Sequence, residues 1–104
     1  MRIEPRDRHD ERQLEEGLET LFIPLHMRDG IRSYVLDHLP VGGFLTAVIQ
    51  NDLSAAASAA DVENEIALGR WAKLLYNYAP SACHGSRNRM EAWLKLPMKK
   101  TKEI

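Results

Sequence analysis

From Leu21 onward, stretches in which apolar residues return every three or four positions alternate with short breaks of proline, glycine and small polar residues. That is the pattern of amphipathic helices joined by tight turns. Met27, Ile31, Tyr34, Val35 and His38 share one helical face, opposite Asp29, Arg32 and Asp37. Pro24 suits the first position of this helix, where its missing N–H costs nothing, and the helix is predicted to run to about His38. Leu39, Pro40, Val41, Gly42 and Gly43 then form a tight connection.

The second predicted helix begins at Gly43 or Phe44 and continues to about Ala59. Phe44, Leu45, Val48, Ile49, Ala55, Ala56 and Ala59 fall in one apolar arc, with Thr46, Gln50, Ser54 and Ser58 opposite. Asp52 lies in the middle of that arc if the helix is continuous, which is the preferred reading. The alternative breaks the helix at Asn51 and makes Asp52 the N-cap of a new one, because short polar side chains accept from free N–H groups there. The third predicted helix runs from Val62 to about Tyr78, with Asp61 as N-cap and Glu63 near its positive end. Its polar strip, Glu63, Arg70, Lys73 and Asn77, is narrow, which marks it as the central helix. Pro80 ends it, Ser86 caps a short last helix carrying Met90, Trp93 and Leu94, and Pro97 closes the pattern.

The first twenty residues are crowded with charges of both signs, and only Leu14, Leu18 and Leu21 begin a weak apolar repeat. They read as a mobile or marginally helical arm. No segment alternates with period two for long enough to form a strand. The expectation is therefore an all-α protein, a compact bundle of about four helices. It divides into a charged arm over 1–20, a helical domain over 21–97 and a basic tail over 98–104.

Two polar residues sit inside apolar faces. Asp52 falls among Leu45, Val48, Ile49 and Ala56, and Asn64 among Ala67, Leu68, Trp71 and Leu75. Burying such groups is costly unless they are hydrogen-bonded or paired. We expect them to form a structural polar tie between the second and third helices, with Tyr34, Trp71 or an arginine as further partners for Asp52. A catalytic role for Asp52 would call for a second carboxylate at a readable spacing, and none is present, so no catalytic residue is assigned and the chain is read as a non-enzyme.

The remaining chemistry is excluded on similar grounds. His9, His26, His38, His84 and Cys83 show no CxxC, HxH or HxxxH spacing, so no metal site is assigned. Cys83 and His84 imitate a thiol with its base, but no third group is there to orient the imidazole. Gly42 and Gly43 lack the following lysine and hydroxyl of a phosphate loop, and no cofactor is expected. A recognition helix opening with Asp61, Glu63 and Glu65 would repel phosphate, which argues against a helix-turn-helix.

Composition adds size and charge. The chain has 104 residues and a net charge of -1, which fits one domain of ordinary globular composition. The charge is uneven, with +4 over residues 81–104 and -5 on the rest. The single cysteine and the absence of a leader-like apolar stretch predict a cytoplasmic setting, and no run is long enough for a membrane span. Trp71, Tyr76, Tyr78 and Trp93 are expected mostly in the core, with Tyr76 at the edge of its arc and the best candidate for an exposed aromatic.

From Ile23 to Trp93 the order Ile23-Pro24, His26-Met27-Arg28, Tyr34, Pro40 to Leu45, Asn51-Asp52-Leu53, Ala60-Asp61, Asn64, Leu75-Tyr76-Asn77, Ala79-Pro80 and Gly85-Ser86 resembles small helical proteins encoded by phages and prophages. The resemblance carries no catalytic signature and no fixed activity. It implies an accessory protein that binds a host protein or complex, such as an inhibitor of host defence of the anti-CRISPR kind. The expected partner-binding residues are Arg28, Arg32, Tyr76, Arg87, Arg89 and Lys95. The alternative is a nucleic-acid-binding accessory protein that uses the basic carboxyl-terminal segment, and a homodimer fits either reading.

Overall fold

The computed structural model describes residues 5–97. Within them the chain is all-α, but it forms seven α-helices rather than about four: α1 (Arg8–Thr20), α2 (Leu25–Asp37), α3 (Gly43–Ile49), α4 (Leu53–Ala59), α5 (Val62–Ile66), α6 (Leu68–Tyr78) and α7 (Arg87–Leu94), with a 3-10 turn at Ser81–Cys83 before α7. The expected basic tail, including Lys99, Lys100 and Lys102, lies outside the described residues, as do residues 1–4.

The first correction concerns the charged arm. Residues 8–20 form α1, whose Leu14 and Leu18 are buried completely and pack with α6 in the core. A stripe only two leucines wide suffices because Gly17 lies on the same face and brings the two backbones close. A Cβ at Gly17 would sit 2.5 Å from Cγ of Tyr78 and 2.8 Å from Cδ1 of Leu74. Asp7 caps the helix by accepting from the Asp10 N–H.

The many charges of α1 and its flank are used within the fold. Nε of Arg6 donates to one oxygen of Asp37 and a terminal nitrogen to the other, both at 2.7 Å. Arg32 forks onto Glu15 at 2.6 and 2.9 Å, and Arg28 pairs with Glu19. Asp37 is fully buried, so the Arg6 fork is the partner such a carboxylate requires.

The second correction is at Asn51, where the preferred continuous helix over 43–59 gives way to the alternative, a break at Asn51 with Asp52 as N-cap. Asn51 takes a left-handed conformation (φ 63°), its N–H donates to Val48 O, and the Asp52 N–H reaches back to Ala47 O. This is a Schellman stop, and asparagine tolerates that conformation better than most residues. Asp52 then accepts from the Ala55 N–H at 3.1 Å and starts α4. It is exposed rather than buried. The local hydrogen bonds of Asn51 and Asp52 override the apolar periodicity that would carry one helix through.

The third predicted helix is also divided, with Ala67 at the junction of α5 and α6. Asp61 caps α5 through the Asn64 N–H. Asn64 is 2 % exposed and its Oδ1 accepts from Nε1 of Trp71 at 3.0 Å. The expected tie between Asp52 and Asn64 is therefore absent: Asn64 serves the indole seven residues further on, and Asp52 serves its own helix.

The core lies among α1, α2, α3 and α6, around Tyr34 and Trp71. The Tyr34 hydroxyl donates to Cys83 O at 2.6 Å, and Trp93 Nε1 donates to Tyr34 O at 3.0 Å, which fastens the chain around α7 to α2. His38 stands edge-on to Trp93, with ring centres 4.9 Å apart, and donates from Nδ1 to Pro97 O. Among the described residues, every buried side-chain nitrogen and oxygen has a hydrogen-bond partner.

Candidate functional site

A cleft of about 520 Å³ lies between the α3–α4 elbow and α6. It exists because Ala56 on α4 and Ala72 on α6 end at Cβ where longer side chains would meet. Val48, Leu68 and Leu75 complete an aliphatic floor. At the mouth stand Leu53, 70 % exposed, and Tyr76, 82 % exposed. Such exposure is costly for large apolar side chains, and beside an apolar concavity it makes this cleft the candidate site.

The rim is polar and mixed in sign: Asn51, Asp52, Lys73, Asn77 and His84. Asp52 is already committed to capping α4. Burial holds the His84 imidazole below its ordinary pKa, and the charge of Arg89 acts in the same direction. The cleft therefore presents a neutral histidine, two amides, one lysine and one carboxylate around an apolar bed. That arrangement suits a row of aliphatic or aromatic side chains with a few hydrogen-bonding groups beside them.

The residues expected to bind a partner are not gathered in one place. Tyr76 lies at the cleft. Arg28 is 11 % exposed at its side chain, donates from Nε to Ile23 O and pairs with Glu19, and Arg32 is held by Glu15 and Asp29. Arg87 pairs with Glu91 on α7, and Arg89 donates to the carbonyls of Ser81 and His84. Lys95 is exposed just beyond α7. Four of the five arginine and lysine candidates thus have intramolecular partners, and three of them brace the backbone or an adjoining helix.

Sequence reasoning missed Leu53, Val48, Ala72 and Lys73 as lining residues. The readable signal was Asn51-Asp52: a left-handed stop followed by a cap turns α4 away from α3, which opens the cleft and leaves Leu53 at the first exposed position of the new helix.

Two other groups bear on chemistry. Burial pushes the Cys83 thiol up to about 12, the opposite of what an activated nucleophile needs. Among the described residues no three His, Cys, Asp or Glu side chains gather as metal ligands, and no helix is long and apolar enough to cross a membrane. Compared with protein families, with curated proteins and with solved structures, the chain has no match.

Proposed function

We propose that this chain is a small interaction protein whose cleft between α4 and α6 receives apolar side chains of a partner protein. The observation that supports this is the exposed pair Leu53 and Tyr76 at the mouth of an aliphatic concavity of about 520 Å³. An amphipathic helix would offer residues at i, i+4 and i+7 to such a groove. Tyr76 would be the anchor, since a tyrosine combines large contact area with a hydroxyl and little rotamer entropy. The resemblance to phage and prophage proteins makes the partner a host protein, in the cytoplasm, and the activity interference with a host complex such as a defence system.

The test compares proteins captured from a host lysate by the full chain with those captured by Tyr76→Ala and by Ala72→Arg, which fills the floor. Loss of the same captured protein in both variants supports the cleft. Unchanged capture by both overturns it. The nucleic-acid alternative, which rests on the basic carboxyl-terminal segment, is read from binding to duplex DNA: affinity carried by several phosphate contacts should fall by orders of magnitude between about 50 and 200 mM salt and be lost when Lys99, Lys100 and Lys102 are replaced by serine.

A further inference from the structure

A second surface, away from the cleft, has its own construction. Helix α1 ends in a Schellman stop: Phe22 N–H donates to Glu19 O, Ile23 N–H to Leu18 O, and Phe22 takes φ 52°. Glycine is the usual residue at that position because a side chain there is strained. Here the position carries a phenylalanine that the fold leaves in solvent.

Two arginines hold this turn from beneath. Arg28 of α2 donates to Ile23 O at 2.8 Å, and Arg70 of α6 donates to Leu21 O and Phe22 O at 3.4 and 3.3 Å. Three successive carbonyls are thus fixed by side chains from two other helices. The backbone beneath the aromatic is held at three points.

The same seam carries more apolar surface. His26 Nε2 lies 2.9 Å from Asp61 Oδ2, which brings the start of α2 beside the start of α5, while Arg70 lies one turn beyond Ile66. Phe22, Leu25, Val62 and Ile66 are between 72 and 78 % exposed. Val62 and Ile66 form one ridge of α5, and by helical spacing Glu63 and Glu65 stand on its two sides. Arg28 and Arg70 turn inward to backbone carbonyls, Glu19 and Asp61 reach solvent while paired with Arg28 and His26, and Glu63 and Glu65 face solvent.

We propose that Phe22, Leu25, Val62 and Ile66 form a second docking surface, for a protein whose apolar cleft is bordered by lysine and arginine. Charge complementarity selects this occupant. The carboxylates would repel nucleic acid, an anionic membrane and the identical rim of a second copy, and they would attract a basic border. The surface is separate from the α4–α6 cleft, so either can fail alone.

The experiment uses the full chain and a labelled amphipathic helical peptide of leucine and lysine, with a leucine and glutamate peptide as control, read by fluorescence anisotropy. The lysine peptide should bind at least about tenfold more tightly than the control. Phe22→Gly and Ile66→Ser should each weaken it by about tenfold or more, and Tyr76→Ala should leave it unchanged. Joint replacement of Glu63 and Glu65 by lysine should invert the preference between the peptides. Phe22→Gly relieves the backbone and should raise the melting temperature by about 4 °C, so lost binding in that variant is not lost folding.

Equal binding of both peptides, or binding indifferent to Phe22→Gly, overturns the proposal. So does tighter association with vesicles of phosphatidylcholine and phosphatidylglycerol than with the lysine peptide. Concentration-dependent dimerisation that Phe22→Gly abolishes also overturns it, since the occupant would then be a second copy.

Discussion

The side of the molecule built from α1, α2 and α6 and the side built from α4 and α5 use their side chains in opposite ways. On the first, charged residues are turned to intramolecular ends: Arg6 to Asp37, Arg32 to Glu15, Arg28 to Ile23 O, while Leu14, Leu18 and Trp71 are fully buried. On the second, α4 buries only Ala56 and α5 only Asn64, and Leu53, Val62 and Ile66 stand in solvent. A small chain has little apolar area with which to stabilise itself, so the large side chains left outside, Leu53, Val62 and Ile66 on this side and Leu25 and Tyr76 at the edges of the other, are an energetic concession that the buried core must offset.

That contrast predicts a ranked set of effects near neutral pH. The largest is Arg6→Ala, which leaves the buried Asp37 carboxylate without its fork and should cost about 3 kcal/mol, read by urea denaturation. Gly17→Ala drives a methyl into Tyr78 and Leu74 and should cost about 2 kcal/mol. A smaller loss would mean that α1 can move away from α6 and that the closed flank is looser than drawn. Asn64→Ala strips the Trp71 indole of its acceptor inside the core, for about 1.5 kcal/mol, with a change in tryptophan fluorescence as a second readout.

On the open flank, Leu53→Ser and Val62→Ser should each change stability by no more than about 0.5 kcal/mol. A loss of 2 kcal/mol at either would dissolve the distinction between the two sides. The last effect vanishes at neutral pH. The Cys83 thiol has its pKa raised from 9.0 to about 12 by burial, so the unfolded chain ionises first. Its contribution is whole below pH 9 and is lost progressively above it. Cys83→Ala should flatten that alkaline decline, and a thiol reagent at pH 8 should label the native protein only as fast as it opens.

The same division explains what could be read from the sequence. The all-α class, the boundaries of α2 and the caps at Asp61 and Ser86 were legible because periodicity and capping agree there. Helix α1 was not, because two leucines and a glycine look too sparse a stripe until one sees that Gly17 makes close contact with α6. Asp52 misled because helical projection presumes continuity, and Asn51 ends that continuity through backbone bonds invisible to a hydropathy pattern. Asn64 was legible as a buried polar group but not in its partner, since a projection drawn as one helix over 62–78 hides the contact from α5 to Trp71 of α6. The cleft depends on the angle at the elbow, and the Phe22 surface on an unusual residue in a left-handed stop. Neither has a periodic signature.

The elbow at Asn51 and Asp52 also has a mechanical side. Each half of it is self-sufficient, one helix stopped by its own backbone bonds and the next started by its own carboxylate. Of its seven residues α4 buries only Ala56. Helix α4 is in effect a short lever on a fixed post, and its amides should exchange hydrogen well before those of α2 or α6. Small rotations of that lever would widen or narrow the cleft.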